Sequence, residues 1–224
     1  MTPTLSGNAS SVGRPGVSSR RAVPLQAQAS VRFIDCAALP AEPWANGHGT
    51  TRTIARAPSD SSDATWRVSL ATLDGAAKFS QFSGFDRTLL LVDEGTIDLH
   101  SQDGQLIART GQPVHFSGDL HVWVSMTTKA VNVLNVMTRR DSHRATVSIA
   151  SNSLRITPAQ SHLLISLAGQ WTVASSLLRD VSLAPLKGIW TEGRHEQLDL
   201  RPLSPEALLV SIAIEPVERL ATSN

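Results

Sequence analysis

Only one cysteine, Cys36, occurs in the 224 residues. That excludes an intramolecular disulfide and a thiolate zinc cluster, and it suits a reducing compartment. A lone thiol just after an apolar segment reads as packing rather than as a nucleophile. Long apolar runs are missing as well. No stretch approaches the length of a bilayer-spanning helix, and the N-terminus lacks the unbroken apolar run of a secretory signal, so we expect a cytoplasmic protein with no membrane partner. Acids are absent before Asp35, although Arg14, Arg20, Arg21 and Arg32 fall there. The remainder carries 16 basic against 19 acidic residues, so the net charge of +1 comes from the tail. In that remainder the arginines are interspersed with acids and no basic helix is evident, which argues against a nucleic-acid partner.

Several catalytic signatures are absent too. There is no G-x-S-x-G elbow, no H-E-x-x-H and no G-x-x-x-x-G-K-[ST]. Gly47-His48-Gly49 opens a possible G-x-G-x-x-G, but Arg52 takes the last position and a strand should follow, so it is not a dinucleotide loop. Seven histidines are present, yet none forms an H-x-H pair. An isolated strand histidine offers one ligand where a transition metal needs about three from the protein. We therefore expect no metal and no other cofactor, with His100, His115 and His121 as surface or hydrogen-bonded residues.

What is present is an apolar fraction of 41%, enough to bury a core as one large β domain or two small ones. Residues 1 to about 30, rich in Ser, Ala, Gly, Pro and Gln, have no periodic apolar face and read as a disordered extension. Their Arg- and Ser-rich, acid-free character also resembles an organelle transit peptide. From Val31 onward the signals are short strands, rich in branched or aromatic residues and separated by Gly, Pro, Asp or Ser clusters. One set covers 31–34, 50–56, 65–72, 88–92, 96–100, 121–126 and 131–137. After a polar connector at 138–143, a second set covers 145–150, 162–167, 171–174, 197–200 and 207–214. We expect an all-β chain of two barrel-like modules, residues 31–140 and 141–218. Thr157-Pro158 and Ser204-Pro205 are candidates to open single helical turns, with proline at the first helical position.

Four segments concentrate polar residues in otherwise apolar surroundings: PWANGHGTTR (43–52), WRVS (66–69), FSQFSGFDR (79–87) and LNVMTRR (134–140). In these, and in FSGD (116–119), the chain resembles the HutD/Ves family, whose usual forms are close to PWKNGGGxTRE, WRxS, FSxFPGxDR and DLNVMxRR. The resemblance implies a bicupin, two cupin-like β-barrels in one chain. It also implies a role in bacterial histidine utilisation, where the family is thought to bind a small acid of that pathway and limit its expression; a stress-inducible member is known. The chain departs from the pattern at His48 for a glycine, Val133 for an aspartate, Ala45 for a lysine and Ser83 for a proline. Gly118-x-x-His121 keeps a trace of the second cupin motif, with Ser117 where a proline is expected.

Alternation along a strand gives these residues a physical role. Asn135, Met137 and Arg139 share one face, and Arg67 and Ser69 share another, opposite Trp66, Val68 and Leu70. A face of Asn, Met and Arg suits a cavity with apolar walls and polar anchors. Arg52, Arg67, Arg87 and Arg139 are candidate carboxylate anchors, because a guanidinium grips a carboxylate through two charge-assisted hydrogen bonds. The alternative is that each pairs with an acid of the protein, Asp86 and Asp119 being the nearest choices. Asn46-Gly47-His48-Gly49 is either a tight loop at the cavity mouth, with backbone N–H groups open to a ligand, or an ordinary hairpin turn. Trp44, Phe79, Phe82 and Phe116 are candidates for the apolar wall.

Three functional readings follow. The first is a metal-free binding protein for a small carboxylate, held by Trp44, Asn46, Gly47, His48, Arg52, Ser69, Phe82, Arg87, Phe116, Asn135, Met137 and Arg139. The second is a metal-independent isomerase or hydrolase acting on a small acid, with His48 or His121 as general base. The third is an interaction module that forms a homodimer through an exposed strand edge.

Overall fold

A computed structural model describes residues 30–58, 64–125, 129–193 and 195–218. The expected N-terminal extension up to residue 29, and Met126 at the end of an expected strand, lie outside the described residues. Those residues contain strands and no helix. The first half holds β1 (Ser30–Asp35), β2 (Glu42–Pro43), β3 (Gly49–Ala57), β4 (Trp66–Leu73), β5 (Ala77–Lys78) and β6 (Phe85–Leu91). It continues with β7 (Thr96–Ser101), β8 (Gly104–Arg109), β9 (Val114–Ser117), β10 (Val122–Val124) and β11 (Val131–Arg139). The second half holds β12 (His143–Ala150), β13 (Leu154–Ile156), β14 (Ser161–Ala168) and β15 (Trp171–Ala174). It ends with β16 (Val181–Leu183), β17 (Lys187–Glu192), β18 (Leu198–Pro202) and β19 (Leu208–Pro216).

The single helical turns expected at the two prolines do not form. Thr157 and Pro158 lie in an irregular link between β13 and β14, and Ser204–Ala207 closes only as a turn, through Ala207 N–H donating to the Ser204 carbonyl at 3.2 Å. One isolated helical turn fixes several dihedrals for a single hydrogen bond, a poor exchange without a longer apolar stripe to follow it.

The strands form four antiparallel sheets rather than closed barrels. A sheet ordered β5-β10-β7-β8 faces one ordered β2-β3-β4-β11-β6-β9. A third, β1-β17-β14-β19-β12, covers the far side of the second, and a fourth, β13-β18-β15-β16, covers the third. Three apolar cores separate the four layers. Leu73, Leu89, Leu91, Ile97, Leu99 and Val133 fill one end of the first module. Trp66, Val68, Leu70, Leu134 and Val136 meet Leu163, Ile165, Trp190, Val210 and Ile212 between the modules. Trp171, Val173, Leu164, Ile189 and Leu198 fill the second. The rings of Trp66 and Trp190 meet edge to face at 5.7 Å across the central interface. Full burial of each such large side chain contributes about 1.5–3 kcal/mol.

The central sheets are therefore covered on both faces, which explains why β4, β11, β14 and β19 read as nearly continuous buried runs. The chain also crosses over: β1 pairs with β17, in the sheet of the second half. Arg32 on β1 bonds Glu192 at 3.2 Å and lies 4.4 Å from the Trp190 ring centre, which ties the first strand to its distant partner.

Candidate functional site

The two faces of β4 settle where the polar residues go. Trp66, Val68 and Leu70 enter the core between the modules, so Arg67, Ser69, Ala71 and Leu73 turn into the first module. Leu73 closes one end of that interior and Ala71 and Ser69 line a hollow of about 330 Å³ beside it. Register carries the pattern sideways. Asn135 on β11 stands between Ser69 on β4 and Leu89 on β6. One row further along, Met137 stands between Arg67 and Arg87. A small sheet residue, Lys78, closes the hollow from the opposite wall with Phe79 and Ser80.

Arg87 is the buried centre of this arrangement. It is 4% exposed. Its Nε and one terminal nitrogen donate to Asn135 Oδ1 at 3.3 and 3.2 Å, and the other terminal nitrogen donates to the Ser80 carbonyl at 3.2 Å. A guanidinium has five N–H groups, so one on each terminal nitrogen is left over. Phe79, Phe82 and Phe116 surround it with ring centres 5.1, 5.6 and 5.1 Å from Cζ, a set of aromatic faces that holds the cation without neutralising it. Burial, and then the nearby Arg67, lower its pKa to about 10. Burial also lowers Arg67, against the opposing pull of Glu42. Arg67 donates to Met137 Sδ at 3.7 Å and lies 5.5 Å from the Phe82 ring centre.

The acids that were candidates to neutralise these arginines are engaged elsewhere. Asp86 and Asp119 both bond Arg140, each at 2.6 Å, on the outer surface. Among the described residues no Asp or Glu lines the hollow. Neither Arg67 nor Arg87 makes an ion pair among the described residues.

The loop between β2 and β3 forms the rim. It is a hairpin turn: Gly47 N–H donates to the Trp44 carbonyl at 3.0 Å, with Gly47 at φ 74°. His48 N–H donates to Asn46 Oδ1 at 3.1 Å. The loop thus uses these backbone donors internally and presents side chains instead. Trp44 and Asn46 line the hollow, and Trp44 Nε1 donates to Thr51 Oγ1 at 2.7 Å. Gly49 is required for closeness, because a Cβ there would fall 2.7 Å from the Thr72 carbonyl oxygen and 3.1 Å from the Trp44 ring.

Of the twelve residues expected to hold a ligand, Trp44, Asn46, Ser69, Phe82, Arg87 and Asn135 line the hollow together. The other six do not. Gly47 and His48 are exposed on the turn. Phe116 stands behind the Arg87 guanidinium, and Met137 is buried between the two arginines. Arg52, opposite Leu70, lies on the other face of β3 from Thr51, since successive side chains alternate. Arg139 shares the face of Asn135 but lies beyond the hollow, against Phe85 at 5.2 Å. Thr51, Lys78 and Ser80 line the hollow without having been expected; each lies inside or next to a recognised segment, but nothing in the local pattern gave its direction.

The remaining titratable groups have structural settings. Burial raises the Cys36 thiol to about 12. His100 bonds Ser125 at 2.7 Å and stacks on Trp123, and His115 bonds Thr88 at 2.8 Å. His121 lines a shallow recess at the mouth of the hollow. Among the described residues no three His, Cys, Asp or Glu gather as a metal site. No helix there is long and apolar enough to cross a membrane.

Stacked sheets of this order, around a basic hollow in the first module, define a two-module cupin-like protein. The fold is shared with a cupin 2 conserved barrel domain protein from Leptotrichia buccalis (TM-score 0.50, 11% identity, 80% of this chain and 95% of that one). It is shared more fully with HutD from Pseudomonas fluorescens SBW25, solved in a formate condition (TM-score 0.70, 21% identity, 84% and 100%). In sequence the chain is 30% identical to Protein Ves of Citrobacter koseri over 182 residues, 80% of this chain and 92% of that protein. Residues 36–209 match the HutD family, and the chain belongs to it.

Proposed function

We propose that the hollow of the first module binds a small carboxylate, and that the protein serves as a cytoplasmic ligand-binding protein in the control of histidine utilisation. The observation that carries the reading is Arg87: a buried guanidinium with two N–H groups to spare, in a hollow lined by no acid among the described residues. Burying a charge without a counter-ion is costly, and a bound carboxylate offsets that cost while accepting the two spare donors. Asn46, Ser69 and Asn135 add neutral hydrogen-bonding groups, and Trp44 and Phe82 add apolar wall. The hollow's volume of about 330 Å³ matches a small metabolite. The HutD resemblance, in a family associated with histidine utilisation, supplies the pathway. Among the described residues no histidine lines the hollow beside Arg87, and His121 lies only in the recess at its mouth, which supports binding over general-base catalysis.

A thermal-shift titration with urocanate, formiminoglutamate and formylglutamate tests this. A ligand at 100 times its Kd stabilises by about 2.7 kcal/mol, which for a chain of this size raises Tm by roughly 5–10 °C. A flat response to all three acids rejects the reading.

A further inference from the structure

A cleft of about 310 Å³ opens on the other face of the six-stranded sheet, where the two modules part. Among the described residues, the core between the modules takes Leu90 from β6 and nothing from β9, so this end of the sheet is not covered by it. Asp86, Thr88, His115, Val136 and Thr138 form the floor. Thr88 stands between Val136 and His115, and Asp86 beside Thr138, on the face opposite to the one that carries Arg87 into the first hollow. The wall is β12, an edge strand of the five-stranded sheet, through Arg144 and Ala145. Register sets Arg144 opposite Glu215, yet it forms no ion pair with Glu215 or with any other acid among the described residues, and it lines the cleft from the open edge of its strand. Asp86 gives Oδ1 to Arg140, and its Oδ2 has no partner among the described residues. Thr88 Oγ1 bonds His115 Nδ1 at 2.8 Å, which leaves Nε2 for the cleft.

We propose that this cleft is a second binding site and that it takes a small zwitterion, an α-amino acid with an apolar side chain. The carboxylate meets Arg144 on one sheet and the ammonium meets Asp86 on the other, so the ligand spans the gap between the modules. A simple acid would satisfy Arg144 but lie beside the charge of Asp86, and a simple amine would do the reverse; a molecule that carries both signs matches both walls. Val136 and Ala145 supply apolar surface for the side chain, while the Thr138 hydroxyl and His115 Nε2 supply neutral hydrogen-bonding groups. The cations of the first hollow, Arg67 and Arg87, take no part, so the proposal is independent of carboxylate binding there.

NMR titration of the whole protein, following the His115 ring signals, tests this, with His115→Gln to assign them. The probes are alanine, valine and leucine, each against the amine that lacks its carboxylate and the acid that lacks its ammonium. We expect at least one amino acid to shift the His115 signals and to bind at least about fivefold more tightly than either analogue, the size of one well-placed exposed ion pair. Arg144→Met should bring the amino acid to within about twofold of its amine, and Asp86→Asn should bring it to within about twofold of its acid. The ligand-free Tm of both variants confirms that they fold. His115 signals that no amino acid moves, or a preference that survives Arg144→Met, overturn the proposal. Acids that bind without moving the His115 signals belong to the first hollow, and that result overturns the second site while leaving carboxylate binding standing.

Discussion

Arg67 and Arg87 flank Met137 in a single row across β4, β11 and β6, two guanidinium groups turned into one hollow with a thioether between them. Like charges so placed repel, and the depressed pKa of Arg87 records it after the larger effect of burial. Met137 accommodates them because its sulfur is a polarisable weak acceptor for an Arg67 N–H. A ligand carboxylate entering this row replaces repulsion with attraction on both sides.

Arg87→Met should therefore remove ligand binding. Two charge-assisted hydrogen bonds of about 1.5–3 kcal/mol each are lost, a drop of at least roughly a hundredfold in affinity. Arg87→Lys should recover only part, since an ammonium offers no planar fork to a carboxylate. Arg67→Met should weaken binding by less, because Arg67 is more exposed. Calorimetric Kd values for the three variants check the order. If Arg87→Met binds like the parent, the ligand sits elsewhere.

His162 gives a pH prediction in the second module. Its Nδ1 accepts from Ala159 N–H at 3.1 Å, so Nε2 carries the proton and donates to Ser211 Oγ at 2.7 Å. Burial lowers its pKa to about 4 from an ordinary value of 6.5. Below the ordinary value the unfolded chain takes up a proton that the folded chain refuses. Stability is thus fully present above pH 6.5, falls as the pH drops toward about 4, and is lost by roughly 3 kcal/mol once below it. His162→Gln should flatten this part of the profile, whatever its effect at neutral pH. Urea melts between pH 4 and 7 measure both; an unchanged slope in the variant assigns the effect to another group.

The strands with period-two or continuous apolar patterns were legible in the sequence, and the alternation on β4 and β11 placed Ser69, Arg67 and Asn135 correctly relative to the core. Short edge strands such as β8 and β9 were not, because four to six residues with mixed exposure carry little periodicity. The pairing of β1 with β17 was hidden for a different reason: each sequence is compatible with several partners, and register is decided by contacts about 150 residues apart. Arg52 misled because Thr50, Thr51, Arg52 and Thr53 are all polar, so neither face of β3 announces itself. Lys78 was missed because β5 is only two residues long, and its direction is set by β10 beside it.

Gly49→Ala tests the rim. The added methyl would meet the Thr72 carbonyl oxygen at 2.7 Å, a backbone atom that cannot swing away, and would press on the Trp44 ring. We expect a loss of about 1–3 kcal/mol, the usual cost of forced overpacking. Trp44 should shift from its place against Thr51 and Phe79, so carboxylate affinity should fall together with stability. A variant with parental Tm and affinity would show that the turn moves freely.

Arg140 is the counterpart of the unpaired arginines, because it takes both acids that might have reached them. Asp119 accepts from Arg140 at 2.6 Å, from Gly84 N–H at 2.9 Å and from Ser117 Oγ at 2.9 Å, and so ties the turn before β6 to the end of β9. These bonds, Arg140 first, hold the Asp119 carboxyl at about 2. A carboxylate depressed in this way contributes stability above its ordinary value of 3.8 and loses that contribution as the pH falls through about 2. Arg140→Ala should move the Asp119 titration back toward the ordinary value, followed by NMR of the side-chain carboxyl, and should lower Tm at neutral pH. Ligand affinity should change little, because Arg87 draws its support from Asn135, Ser80 and three phenylalanines and not from this surface knot. A large loss of affinity with the fold intact would mean that the acids and Arg87 act as one network.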